Sequence, residues 1–337
     1  MASATTITTE LMTALGILNF DPRATLGFRP AELRGVREQE WQQLLDALHS
    51  GTVDQLAQAA FENGRHFAAA HDALRGRPAA LVEWTGPTRP PGEEVAPIDL
   101  RIDHVYLVSC KYLSKITYNG SPHHVIERLL TGPQGQRSTD WYQQVAPEAY
   151  SDLWRSSQEY LGRATDQQWP SGLDKESRKS IAYSLRGARW PEELQAAYQA
   201  LCKQVSERSA ELWRQRIQAG GARAAEGLLW RLLRIGSAPY FVLGAHSNAE
   251  HLRLRVASPW DWRQEYSLKS FQIAAGEVGQ PQVNYLAEVQ HRGSGELTGI
   301  GGHIEIRWSH GRFGGNPEAK VYLDTSFLNC PGFWPLR

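Results

Sequence analysis

The feature that most limits the fold of this 337-residue chain is a change of hydrophobic period near Gly236. From Asp140 to about Ile235 the apolar pattern is mostly helical. Leu194, Tyr198, Leu201, Val205, Leu212 and Ile217 form one helical stripe. Pro191 stands near its start and Gly220–Gly221 near its stop, and a second helix follows. After Gly236 the texture becomes short alternating runs, such as SAPYFVLGAH, HLRLRVAS, PQVNYLAEVQH, GGHIEIRWSH and AKVYLDT, separated by turn residues. The N-terminal third is mixed. Residues 1–50 carry short helical patterns such as Glu38 to Leu48, and 53–75 predicts a helix whose middle Gly64 weakens. Residues 79–85 predict a strand. Four prolines then mark a loop before two extended runs, 97–103 and 104–112. YNGSP reads as a turn, and about 123–130 as a short helix. The expectation is an α/β chain in four segments: 1–50 helical, 51–135 a mixed-sheet core, 136–235 helical and 236–337 β-rich.

Composition excludes several classes. Apolar residues are 41% of the chain and tryptophans number 12, enough for a large core, so a disordered or fibrous chain is excluded. No apolar run reaches the ~18 residues that suggest a membrane span. The N-terminus has no basic segment leading into an apolar one, so no secretory signal is expected. Cys110, Cys202 and Cys330 are far apart and form no CxxC pair, which fits a reducing cytoplasm rather than a disulfide framework or a Cys-rich zinc site. The 36 Lys+Arg balance 36 Asp+Glu, so there is no global basic field. Locally, Lys175 to Arg234 holds twelve Lys/Arg against six Glu and no Asp, a net of +6. That suits a solvated helical surface or a phosphate-facing one equally well.

The window richest in chemistry runs from Pro97 to Tyr112. Asp99 opens one short strand, and after nine intervening residues Ser109-Cys110-Lys111 lies on the next. Alternation puts Val105, Leu107, Ser109 and Lys111 on one strand face, and Cys110 on the other, core side. An acid beside a lysine at a strand end suits metal-assisted phosphodiester hydrolysis. The carboxylate holds a hard divalent cation, and the ammonium steadies developing charge.

The order helix, strand, strand with Asp99, strand with Ser109-x-Lys111, then helix, resembles the PD-(D/E)XK superfamily, the restriction-endonuclease-like fold. The resemblance covers about residues 53–130, with 237–245 as a fourth core strand after a helical insertion. Pro97-Ile98-Asp99 stands where the family writes Pro-Asp, with one residue inserted, and Ser109 stands where it carries its second acid. The resemblance implies a Mg²⁺- or Mn²⁺-dependent endonuclease acting on DNA in restriction or defence against foreign DNA. Asp99, Ser109 and Lys111 would be its catalytic residues. Metal ligands would be Asp99 with Glu62 or Glu83, ranked equally, and Asp103 below them. Expected partners are nucleic acid, a second copy of the chain, and a helicase/ATPase or methyltransferase subunit; a membrane is not among them. Lys175, Arg178, Lys179, Arg307 and Arg312 are candidate nucleic-acid contacts. The alternative is a catalytically degenerate nuclease fold that binds nucleic acid or a protein.

Competing motifs read more weakly. Glu318-Ala-Lys320 has its apolar run after the lysine and Pro317 before it, so it is a decoy. His303, Glu305 and Arg307 share a strand face and, with His310 and Arg312, could form a metal or anion site of a small-molecule enzyme, but a solvated β face explains them better. His123-His124 open a helix near the candidate site. Gly299-Ile-Gly-Gly302 lacks the GK[ST] ending of a phosphate loop and leads into a strand. No serine lies in G-x-S-x-G.

Overall fold

The computed structural model describes residues 3–24, 27–86, 98–113, 116–128, 140–163, 167–187, 189–245, 251–276 and 279–337. Pro97 and the proline-rich loop before it lie outside these residues, as do 129 and 130 of the helix expected at 123–130. The chain is mixed α/β. It divides into two compact units interleaved along the sequence: residues 1–115, 234–265 and 326–337 form one, and 116–233 and 266–325 the other.

The first unit is built on a seven-stranded mixed sheet. Its strands are β1 (Leu33–Arg34), β2 (Val82–Trp84), β3 (Leu100–Ile102), β4 (Tyr106–Tyr112), β6 (Tyr240–Ala245), β7 (His251–Val256) and β12 (Phe333–Pro335), neighbours in that order. β2, β3 and β4 pair antiparallel. β6, the strand expected at 237–245, pairs parallel with β4 through Val108↔Phe241 to Tyr112↔Ala245. The β3–β4 turn is tight because Asp103 and His104 both take left-handed backbone, at φ 48° and 59°. Asp103 closes it by accepting the Ala80 and Leu81 amides at 2.8 and 3.0 Å.

Helices α1 (Ala4–Ile17), α2 (Glu38–Ser50) and α3 (Asp54–Ala69) belong to this unit. α1 is more regular than the short patterns read over 1–50. Ser3 caps it by accepting the Thr6 amide. Thr9 and Thr13 return their hydroxyls to the carbonyls of Thr5 and Thr9, so a threonine-rich segment stays satisfied. Every residue from Ile7 to Ile17 is buried, so there is no polar face to reveal a helical period.

Gly64 does not interrupt α3; it is where α1 crosses. A Cβ there would lie 2.1 Å from the Thr13 carbonyl oxygen and 2.7 Å from the Ile17 nitrogen, and one on Gly16 2.1 Å from the Phe61 oxygen. Those contacts are with backbone, which cannot swing aside. The adjacent Asn63 is fully buried. Its amide donates to the Gly244 carbonyl (2.7 Å) and to the Tyr112 hydroxyl (3.2 Å), and accepts from Arg253 Nε (2.8 Å).

The second unit holds a five-stranded antiparallel sheet in the order β5 (Ile116–Gly120), β11 (Glu318–Leu323), β10 (Leu297–Arg307), β9 (Gln282–His291) and β8 (Tyr266–Ala275). Its helices are α4 (Trp141–Val145), α5 (Pro147–Tyr160), α6 (Lys175–Ser184) and α7 (Glu192–Leu232), and a π-helical turn spans His123–Arg128. α7 is two helical stretches joined across a kink at Gly221 (φ 65°, ψ −163°), at the stop read from the sequence. Trp141, Trp154, Trp213, Tyr150 and Phe313 pack with Ile304 and Val321 in its core. YNGSP was expected to be a turn, but Tyr118–Gly120 belong to β5, which gains its ladder from β11. Gly302 leaves room for Tyr285, whose hydroxyl reaches the Tyr322 carbonyl at 3.0 Å.

Gly64→Ala should destabilise the protein by about 2 kcal/mol or more through overpacking of backbone against backbone. Gln55→Ala, elsewhere on α3, should change it by less than about 0.5 kcal/mol. Denaturant midpoints of the two variants check this.

Candidate active site

Asp99 stands one residue before β3. Its amide donates to the Val108 carbonyl at 2.9 Å, and its own carbonyl accepts from Thr85 at 3.0 Å. The Leu100↔Val108 pairing therefore leaves its side chain level with Ser109. There Oδ2 accepts the Cys110 amide at 2.6 Å and the Ser109 hydroxyl at 3.3 Å. The carboxylate thus takes the place of a ladder carbonyl for Cys110, which fixes its orientation. Ser109 is fully buried and spends its hydroxyl on Asp99. Lys111, half-buried, follows on the same strand face. Opposite it, β6 approaches so closely that a Cβ on Gly244 would fall 1.9 Å from the Lys111 carbonyl oxygen.

Two buried groups report the charges around this hairpin. Burial drives the Cys110 thiol well above its ordinary range, Asp99 and then Glu10 push it further, and a Thr13 hydrogen bond and Lys111 oppose them. Burial likewise raises the Tyr240 phenol, with Arg234 lowering it and Asp99 raising it. Asp99, Lys111 and Glu10 therefore all act on the Cys110 thiol.

Glu10 was not singled out in the sequence. It is a buried carboxylate, 8% exposed, on α1, and Trp84 Nε1 donates to its Oε2 at 2.6 Å. Trp84 pairs with Leu100, the neighbour of Asp99. The signal available was a single acid within an otherwise uncharged helix, TTITTELMTALGI.

The other expected acids go elsewhere. Glu62 is exposed on α3, holding Gln58 Nε2 at 2.9 Å and lying 3.6 Å from His251 Nε2. Glu83 takes a bidentate contact from Arg101 (2.7 and 2.9 Å) and sits 3.1 Å from His104. The Arg101 hydrogen bond does most to hold the Glu83 carboxyl below its usual range. Asp103 lies in the turn and pairs with Arg77 at 2.6 Å. Among the described residues no group of three or more His, Cys, Asp or Glu is placed to hold a metal ion. Of the candidate acids, Asp99 stays at the hairpin, steadied by the Cys110 amide, whereas Glu10 meets β2 through Trp84, which pairs with Leu100 on the other sheet face. Mg²⁺ is commonly held by one or two carboxylates together with water and substrate phosphate, so the single Asp99 carboxylate fits such an ion.

The cation candidates divide. Lys175 is exposed at the start of α6, and Lys179, also exposed, pairs with Glu176 at 2.9 Å. Arg178 is taken up internally: Nε donates to the Phe313 carbonyl (2.8 Å) and Nη1 to Asn316 (3.3 Å). Arg312 stacks on Trp190 at 3.8 Å and on Tyr198 at 4.9 Å. Arg307 lies 3.2 Å from Glu305 on the open face of the five-stranded sheet. On that face His303 stacks on Tyr322 and reaches Asp324 at 2.9 Å, and Tyr322 donates to Glu305 at 3.0 Å. These side chains satisfy one another. Glu318 accepts from Ser309, and Lys320 pairs in register with Glu305. His123 contacts Glu127 at 3.0 Å, and His124 stacks on Tyr118.

Asp103 carries a pH prediction. Burial raises its pKa, but the Arg77 hydrogen bond and the Leu81 and Ala80 amides outweigh it and the carboxyl ends below its ordinary value. A carboxyl lowered on folding contributes stability above about pH 4 that is lost as pH falls through its folded value. Asp103→Asn should therefore be less stable at neutral pH, and its unfolding midpoint should fall less than that of wild type on acidification from about pH 5 to about pH 2.

The chain matches no family model, and neither a curated protein nor a solved structure shows significant similarity to it.

Proposed function

We propose that the first unit is a restriction-endonuclease-like core and that the chain is a metal-dependent endonuclease, cutting DNA in restriction or defence against foreign DNA. The observation that carries this reading is the topology around the hairpin. A helix is followed by three antiparallel strands and a fourth strand parallel to the third, with Asp99 and Lys111 on neighbouring strands. Asp99 would hold Mg²⁺ or Mn²⁺, with water and substrate phosphate supplying the other ligands. When bound, the metal would polarise a phosphate oxygen and lower the pKa of a water. The Cys110 amide and Ser109 hydroxyl keep the Asp99 carboxylate oriented, which makes Ser109 a positioning residue. The Lys111 ammonium steadies negative charge gathering on the phosphate. Cutting both strands calls for two sites, hence two copies of the chain working in the cytoplasm. Among the described residues no helix is long and apolar enough to cross a membrane.

A second reading, a core that binds nucleic acid without cutting it, is favoured by one observation: a neutral, fully buried serine stands where the family carries its second acid. Incubation with supercoiled plasmid, linear duplex, single-stranded DNA and RNA, with Mg²⁺, Mn²⁺ or a chelator, separates the two. Wild type should cut only with metal, and Asp99→Ala and Lys111→Ala should each lose about 100-fold or more. Asp99→Ala should also weaken Mn²⁺ binding measured by calorimetry without substrate. Failure of wild type to cut, with binding retained, would favour the second reading; cutting that survives in both variants would place the site elsewhere.

A further inference from the structure

The exposed side of α6 combines features that the active-site reading leaves unused. Asp174 caps this helix, accepting the Glu176 and Ser177 amides at 2.9 Å each and the Ser177 hydroxyl at 2.7 Å. Ile181, Ala182 and Leu185 turn inward and are buried. Lys175, Lys179 and Tyr183, four residues apart, fall within an arc of about 80° on the outside. Arg186 extends this strip by one turn, its amide bonded to the Tyr183 carbonyl at 3.1 Å, and exposed Arg189 lies beyond.

Tyr183 is 80% exposed. A tyrosine that neither packs nor bonds on its own protein gains nothing for folding from that placement. Among the described residues Tyr183, Lys175, Arg186 and Arg189 make no side-chain hydrogen bond, ion pair or ring contact. Glu176 offsets Lys179 alone, and the charge of Asp174 is spent on the helix cap. The strip is therefore electropositive with one open aromatic face in its middle, and its remaining exposed positions, Ser180 and Ser184, are polar.

We infer that this strip binds single-stranded nucleic acid: Lys175, Lys179, Arg186 and Arg189 track the phosphates while Tyr183 stacks on one unpaired base. The inference rests on the nucleic-acid reading above and adds the strand form. Paired bases keep both faces stacked within the duplex, so an isolated exposed ring is of use only where bases are open. An anionic membrane would satisfy the cations equally well, but the strip has no aliphatic side chain to insert beside them.

The test is fluorescence anisotropy in chelator, so that no cutting intervenes. The probes are a labelled oligothymidine of about 16 nucleotides and a duplex of the same length. Wild type should prefer the single strand. Tyr183→Ala should weaken single-strand binding by about 5-fold to about 100-fold and leave duplex binding nearly unchanged, while Tyr183→Phe keeps the wild-type affinity. Lys179→Ala and Arg186→Ala should weaken both and flatten the log–log salt dependence by about 0.7 each on the single strand. Equal effects of Tyr183→Ala on both probes, or none on either, would overturn the inference. So would binding to vesicles of anionic lipid without binding to the oligonucleotide. Because Asp99 and Lys111 are intact in these variants, loss of cleavage in the active-site variants with oligothymidine binding kept bears on the nuclease alone.

Discussion

The arrangement of the first unit depends on the backbone-to-backbone crossing of α1 and α3. With no side chain at Gly16 or Gly64, the two helices meet closely enough to bury Asn63 completely. A buried amide left unsatisfied costs about 1–3 kcal/mol, so its placement is demanding. Here it bonds to β6 through Gly244, to β4 through Tyr112 and to β7 through Arg253. β4 and β6 form a parallel pair whose strands are separated by more than 120 residues of sequence, and local turn chemistry cannot specify such a pairing. The Asn63 amide bonds one strand at its carbonyl and the other at a side chain, so it helps set their register. The hairpin carrying Asp99 is joined to that pair through β4.

Much of this was legible where the period was clear. The helix at α3, the strand at β2, the Asp99–Lys111 hairpin and the strands β6, β7, β9, β10 and β11 all follow from alternation or helical spacing. The segments that escaped share a physical reason. α1 is buried on all sides, so it carries no amphipathic signal. β5 and β8 are edge strands of their sheet, specified by partners distant in the chain more than by their own residues. Gly64 is the instructive case. Propensity makes a mid-helix glycine a weakness, whereas packing makes it the one residue that lets another helix touch. Propensity is local information and a crossing is not.

The candidate site was half legible for the same reason. Asp99, Ser109 and Lys111 are brought together by one hairpin, so their spacing carried the information. Arg178 and Arg312 counted as available cations in the sequence, yet their guanidinium groups are enclosed by carbonyl and ring partners from remote segments. Glu10 comes from a helix about ninety residues before Asp99, and no spacing rule connects them.

The neighbourhood of Asp99 gives a physical reason for the serine at 109. A second carboxylate on β4 would face Asp99 across the hairpin in a fully buried position. Two like charges there would force one to keep its proton. A hydroxyl at 109 donates a hydrogen bond instead and orients the carboxylate that an acid would have repelled.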